Sequence, residues 1–395
     1  MSWIRKGLLA ALVFTAGLIV GGSDEFGHRA HEAVENTAAK VLVAVSDERV
    51  DDVRMQLLME NPSLIRAIQG GGAFGNKSHR SIALGMFSRS EAGIAAAREL
   101  IQIELVAPRT WLIRLPVSNA VLFETDEGLV LVETGVAAAG PALFDAVRSV
   151  SDAPLHTIIY THAHVDHAYG TWAFLEAGER PEIVAHVAAT KRFARYIRLR
   201  GSIAKYMNQP VNTMPLDRGD IAWPTRSFEN RLDLEIGGES FVLQHHRAET
   251  DDQLYLWMPS RKVLVSSDYY QAWIPNAGNG KRVQRYVEEW AVALREMAGL
   301  GAELVLPGHG PVIEGSDEIR GDFILLAKAL ESIAAQTIAG LNAGLRKDEV
   351  WARVRLPAPL AADSRLQERY VSVQDISKMV IKQYTGWWDD IPSHW

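Results

Sequence analysis

Four side chains able to bind metal stand within six residues: His162, His164, Asp166 and His167, in the stretch THAHVDH. The apolar run 157–160 comes immediately before them and reads as a buried strand, so the cluster sits on a rigid strand end. If the chain is still extended at 162–164, His162 and His164 point the same way, because side chains alternate with period two. Asp166 and His167 then fall where the chain turns into the next helix. Two imidazoles on one side, with a carboxylate and an imidazole beyond, can hold two divalent ions a few ångströms apart. The chain has no cysteine, so a transition metal must be held by His, Asp or Glu. Imidazole nitrogen and carboxylate oxygen suit zinc, and sites of this kind keep a position open for water. A polar loop with coincidental histidines is the bland alternative. Three of the chain's 12 histidines within six residues argue against it.

The elements that must position this cluster are short strands interleaved with helices. Segments 111–115, 120–125 and 129–133 read as strands, with a turn at Asp126-Glu127-Gly128. A helix is expected over about 141–150 and further strands at 253–258, 263–267 and 303–306. This alternation indicates a layered α/β domain over 104–315. After about Gly315 the strands stop. Phe323, Leu326, Leu330, Ile333, Thr337 and Leu341 mark one face of an amphipathic helix, and 316–395 reads as helical. Residues 23–103 read as mainly helical, broken at Pro62 and Gly70-Gly71-Gly72. Their histidines His28, His31 and His79 are isolated and carry no ligand pattern. Residues 1–22 place Arg5 and Lys6 before an apolar run from Leu8 to Val20, the layout of a signal peptide or membrane anchor. Export is therefore expected, to the periplasm or to the periplasmic face of the inner membrane.

Of 395 residues, 48% are hydrophobic and 23% charged, which is too apolar for a disordered chain. The net charge of −7 excludes the broad basic surface of a nucleic-acid binder.

The pattern H-x-H-x-D-H after a strand resembles the signature of metallo-β-lactamase fold hydrolases. The resemblance covers about 104–315 and implies that family's αββα sandwich. It also implies three later ligands. Glu249 stands in Arg247-Ala248-Glu249-Thr250-Asp251-Asp252 where most members have His. Asp268 ends the strand 263–267, and His309 lies in Pro307-Gly308-His309-Gly310. Glu at the first of these positions resembles the zinc-dependent alkylsulfatase branch. So does the C-terminal stretch from Tyr370 to Pro392, including YTGWWDDIP, which is similar to the end of that branch's helical dimerisation domain. A homodimer is implied, with 316–395 as that domain. Trp387, Trp388 and Trp395 are expected to dock rather than dangle. Three features depart from the branch. Asp268 replaces a second Glu, 269–282 contains no histidine, and Glu133 stands where Asp is usual.

The resemblance implies two zinc ions per chain. One would be held by His162, His164 and Glu249, the other by Asp166, His167 and His309, with Asp268 bridging. Asp166 and Asp268 would carry the catalytic role. Paired metals bring the pKa of a shared water toward ~7, and the resulting hydroxide attacks an ester. Tyr206, Tyr269, Lys281 and Arg282 are candidate substrate-binding donors, with surface or packing roles as the alternatives. His245 and His246 precede Glu249 and compete with it for the metal; His186 reads as structural. Three functions follow. The first is hydrolysis of alkyl sulfate esters; the second is the same machinery acting on a carboxylic ester, lactone or β-lactam. The third is a catalytically silent zinc-binding scaffold.

Overall fold

Among the described residues, thirteen strands pair into two sheets whose inner faces supply one apolar layer. The computed structural model describes residues 89–207, 211–279, 283–368 and 371–386, but not the side chains of Ala92 and Tyr206. The expectations for 1–22, for 23–88 and for the C-terminal tryptophans lie outside the described residues. The first sheet runs in the order β1 (Gln102–Ala107), β2 (Thr110–Arg114), β3 (Asn119–Thr125), β4 (Gly128–Val132), β5 (Leu155–Ile159), β6 (Glu182–His186) and β7 (Arg226–Phe228). The pairs among β1–β4 are antiparallel and those from β4 to β7 parallel. In the second sheet the order is β13 (Ile313–Glu314), β12 (Leu304–Pro307), β11 (Val263–Ser267), β10 (Leu254–Met258), β9 (Glu239–His245) and β8 (Arg231–Ile236). There only β11 and β12 run parallel.

The strand sequences explain the layering. β4, GLVLV, is buried at all five positions, the apolar run expected of a strand covered on both faces. Val130 and Val132 turn inward, where they share a core with Leu254, Leu256, Met258 and Val265 of the other sheet. Phe123 and Phe241 meet edge-to-face across that layer, 5.5 Å between centroids. The alternate residues Leu129 and Leu131 turn outward and pack under helices of the first sheet. Helices therefore cover both outer faces, and the αββα sandwich expected from the sequence is the observed fold.

The helix Ser316–Asn342 lies on the outer face of the second sheet. Phe323, Leu326, Leu330 and Ile333 are fully or almost fully buried in one core with Trp290 and Leu294 of helix Val287–Ala298 and with Val305 of β12. Its apolar face is thus covered by its own chain from Phe323 to Thr337, and Leu341 is half-buried. Helix Val373–Thr385 packs on the same core and against the 269–286 loop. Gln284 donates to Met379 O at 3.0 Å. A Cβ at Gly278 would fall 2.6 Å from Ile376 N, so only glycine permits that approach. Helix Val373–Thr385 therefore braces the loop that follows Asp268.

Because Phe323 is fully buried within its own chain, Phe323→Ala is expected to lower unfolding free energy by about 3–5 kcal/mol. Denaturant titration should give that loss independently of protein concentration. A loss seen only at low concentration would place the residue in an intermolecular interface.

Candidate metal centre

The metal-binding side chains gather where the carboxyl ends of the parallel pairs β4–β5 and β11–β12 meet. Beyond β5 the chain bends at Thr161 and His162, and His164, in extended conformation, occupies the N-cap position of the short helix Val165–Ala168. His162 and His164 nevertheless converge: Nε2 of the first lies 2.9 Å from Nδ1 of the second. Asp166 and His167 occupy the first helical turn. His167 Nε2 is 3.7 Å from Asp166 Oδ2 and 3.5 Å from Asp268 Oδ1. His309 Nε2 is 3.4 Å from both Asp166 Oδ2 and Asp268 Oδ2. Asp268 also lies 3.9 Å from His162 Nε2, between the two halves of the cluster. The base, formed by His162, His167 and Asp268, is buried. His164, Asp166 and His309 keep 18% of their side-chain surface exposed and form the open rim.

The scaffold holds the remaining ring nitrogens of His309 and His162 and sets a carboxylate beside that of His167. His309 Nδ1 donates to Val117 O at 2.8 Å. His162 Nδ1 is 3.1 Å from Thr161 Oγ1. Glu133 Oε2 lies 3.2 Å from His167 Nδ1, and its other oxygen accepts from Thr161. Glu133 and Ser267 both take left-handed backbone, φ 70° and 49°. Strained backbone of this kind persists where surrounding contacts over-determine it. The loop itself is pinned through Ala163 N, which donates to Asp252 Oδ2 at 2.8 Å. Arg192 in turn pairs with Asp252 at 3.1 Å.

The electrostatics follow from burying carboxylates among imidazoles. Burial opposes a charge on His167, but Asp268, Glu133 and Asp166 outweigh it and hold the ring well above its ordinary value. The same contest, with Asp268 and Asp166 prevailing over burial, raises His309 to about 10. Burial, His167 and His164 together push His162 well below its usual value. The carboxylates thus favour positive charge on His167 and His309, where a cation would also be favoured. His167 Nε2 and Asp268 Oδ1 are buried and make no hydrogen bond, although such atoms are normally satisfied. A Cβ at Gly308 would fall 2.5 Å from Asp268 Oδ1 and 3.2 Å from His167 Cε1, so the turn leaves that space clear. Two donor groups, His162–His164–Asp268 and Asp166–His167–His309, have the composition and convergence that fit divalent ions.

Glu249 is 5% exposed, and its Oε1 lies 4.0 Å from His164 Nδ1, facing the cluster. Its charge is met by Arg285, itself 1% exposed, which pairs with Oε1. Asn276 donates to the same oxygen at 3.0 Å, and Gln271 Nε2 is 3.3 Å from Asp268 Oδ2. Burial first, and then Asp268, raises Glu249 to about 7 against the opposing pull of Arg285. The competing histidines lie elsewhere. His246 Nε2 bonds Glu296 at 2.6 Å. His245 stacks on His186 at 3.7 Å and bonds Gln253 O through Nδ1.

The expected substrate donors fare differently. Tyr269 is fully buried, donates to His246 O at 2.5 Å and accepts from His246 N. It therefore fastens the turn before Glu249 and presents nothing to a substrate, which corrects the sequence expectation. Lys281, Arg282 and the side chain of Tyr206 lie outside the described residues. Sequence reasoning missed the supporting roles of Glu133, Gln271, Asn276 and Arg285. Glu133 had a signal, a carboxylate ending a run of buried aliphatics. Arg285 had none, since nothing local separates it from the other 40 cationic residues among the chain's 41 Lys and Arg.

Residues 113–309 match the metallo-beta-lactamase superfamily, and this domain belongs to it. Within the superfamily, the chain is similar to alkylsulfatases. It is 25% identical over 297 residues to the linear primary-alkylsulfatase of Pseudomonas sp. (strain ATCC 19151), covering 69% of this chain and 56% of that protein. Identity is likewise 25%, over 310 residues, with 2,4-dinitroanisole O-demethylase subunit alpha of Nocardioides sp. (strain JS1661), covering 72% of this chain and 80% of that one. The structure of the stereoselective inverting sec-alkylsulfatase Pisa1 from Pseudomonas sp. shares the fold. It superposes with a TM-score of 0.64 at 18% identity, over 79% of this chain and 56% of that one. The chain thus spans about half the length of the alkylsulfatases it matches.

Two outcomes are expected. Zinc added to metal-depleted protein should displace the protons on His167 and His309, so a weakly buffered titration with a pH indicator should record acid release. His245 is pushed down to about 4 by burial and by His186. The unfolded chain takes up that proton below about 6.5 and the folded chain only near 4, so stability falls as pH drops through this window. His245→Asn keeps a donor for Gln253 O and removes the titration, so denaturation midpoints should show a shallower slope between those pH values.

Proposed function

We propose that this chain is a dinuclear zinc hydrolase that cleaves alkyl sulfate esters. The observation that carries the reading is the convergence of seven ligand-type side chains at one strand-end mouth, with Glu249 buried beside His164. Two ions held by the groups described above would supply hydroxide at neutral pH, lowering the pKa of water from 15.7 toward about 7. The chain's own residues do the positioning. Glu133 orients His167, Val117 O orients His309, and Asp268 stands between the two halves. Arg285 takes up the charge that Glu249 brings in place of an imidazole, which lessens its repulsion of an anionic substrate. The similarity to alkylsulfatases over 69% of the chain supports the sulfate ester.

A second reading is the same machinery acting on a carboxylic ester, lactone or β-lactam. It is favoured by Asp268 in place of Glu and by the lack of histidine in 269–282. The similarity to a 2,4-dinitroanisole O-demethylase adds an aryl methyl ether to the substrates worth assaying. In both readings residues 1–22 direct export to the periplasm or anchor the chain on its inner membrane. The homodimer rests on likeness to the dimerising branch, and light scattering at twice the chain mass would support it.

Purified protein assayed against dodecyl sulfate, a lactone panel, nitrocefin and 2,4-dinitroanisole separates the readings. Sulfate release with no other turnover is the expected result. Asp166→Ala should lower turnover by at least about a hundredfold, as loss of a metal-site residue does, while melting remains cooperative. Elemental analysis should give two zinc ions per chain in the parent. Full activity in that variant would remove the two-metal mechanism.

A further inference from the structure

Beside the metal centre lies a surface whose charge opposes that of the chain as a whole. Residues 187–223 carry seven Lys or Arg and two Asp, a net of +5 in a chain of −7. Helix Ala189–Arg198 presents Lys191, Arg195 and Arg198 at spacings of four and three, which places them on one face. Phe193 and Tyr196 are buried on the other. Helix Arg200–Met207 adds Lys205, exposed like Lys191 and Arg198. None of these four cations makes an ion pair with a described residue. Elsewhere surface arginines do pair, as in Arg226–Glu182, Arg231–Asp233 and Arg295–Glu331.

Aliphatic side chains stand among these cations. Leu199 is 42% exposed, Val211 49% and Leu216 60%. Arg200 donates to Val211 O at 2.9 Å, joining that turn to the helices. Trp223 packs on Phe193, 5.7 Å between centroids, and tethers the loop that carries Leu216. The two acids of the segment are occupied by their own backbone: Asp217 accepts from Gly219 N, and Asp220 from Leu216 N. The result is a patch of four cations without an ion pair among the described residues, with exposed aliphatics between them.

We propose that this patch, formed by the 189–207 helices and the 211–223 loop, docks on an anionic lipid surface. Phosphate headgroups supply the counter-charges that the described residues do not, and the aliphatics enter the interface, the combination that amphipathic surface helices use. A nucleic acid would meet the cations but leave Leu199, Val211 and Leu216 in water. Arg192, on the inner side of the same helix, pairs with Asp252, which fixes the loop of His162 and His164. Docking would therefore bring the rim of the metal centre close to the lipid surface. The proposal does not depend on which ester is cleaved.

Flotation of the full chain with phosphatidylcholine vesicles, with and without phosphatidylglycerol, tests it. Any insertion of residues 1–22 contributes to both, so the difference between them reads the patch. Tighter binding to the anionic vesicles is expected, weakening as salt rises. K191Q/R198Q/K205Q should lose about a hundredfold of that preference, near fivefold per cation, with unchanged melting. R320Q/K328Q removes two exposed cations from the helix over the other sheet and should keep it. Equal affinity for both vesicles would overturn the proposal. So would a preference that survives the triple variant, an equal loss in R320Q/K328Q, or binding to a polynucleotide without binding to vesicles. Sulfate-ester assays bear on catalysis alone, so the two readings fail separately.

Discussion

Burying acidic oxygens among imidazoles is the constraint around which this molecule is organised. Glu133, Asp166 and Asp268 sit within reach of His167, and two of the three are almost completely buried. Such a group of carboxylates is costly without positive charge beside it. The carboxylates hold His167 and His309 above the ordinary imidazole range, and a divalent ion would supply positive charge at the same place. The strands, caps and strained turns around the cluster hold the donors in register. Glu133 and Ser267 take left-handed backbone at its edge, and Gly308 leaves room where any side chain would intrude.

Glu249 adds a fourth carboxylate, and the fold answers it separately. Arg285 is buried against it, and Asn276 donates to the same oxygen. A buried pair of this kind is weak evidence for stability, but removing one partner leaves an uncompensated charge. Glu249 thus brings negative charge beside His164, and a cation distant in sequence restores the balance. Arg285 and Asn276 ride on the 269–286 loop, and that loop leans on helix Val373–Thr385 through Gln284 and Gly278. The C-terminal helices consequently share a core with the second sheet and also stiffen one wall of the site.

Much of the fold was legible in the sequence. The strands at 120–125, 129–133, 253–258 and 263–267 announced themselves as apolar or alternating runs between turns, and each is present within a residue or two. The sandwich followed because strands buried on both faces require two covering layers. H-x-H-x-D-H at a strand end announced the cluster, and His162 and His164 do converge, although the chain bends at Thr161 and His162 rather than staying extended. What the apolar periodicity of 316–342 left open was the identity of the covering surface. A stripe of leucines reads the same whether it packs on its own sheet or on a second copy, and here its own chain covers it.

The sequence by itself determined the donor set: no thiolate is available, and four ligand-type residues lie within one strand-end turn. It determined the order of the strands along the chain and the local direction of their side chains, because both depend on short-range sterics and period. Tertiary structure alone decided which distant residues meet. Glu133 reaches His167, 34 positions later in the chain, and Arg285 finds Glu249 across a loop. His246 turns away to Glu296, and Tyr269 spends its hydroxyl on backbone. These outcomes depend on how two sheets and a braced loop close on one another, and such long-range packing leaves no mark in the spacing of neighbouring residues.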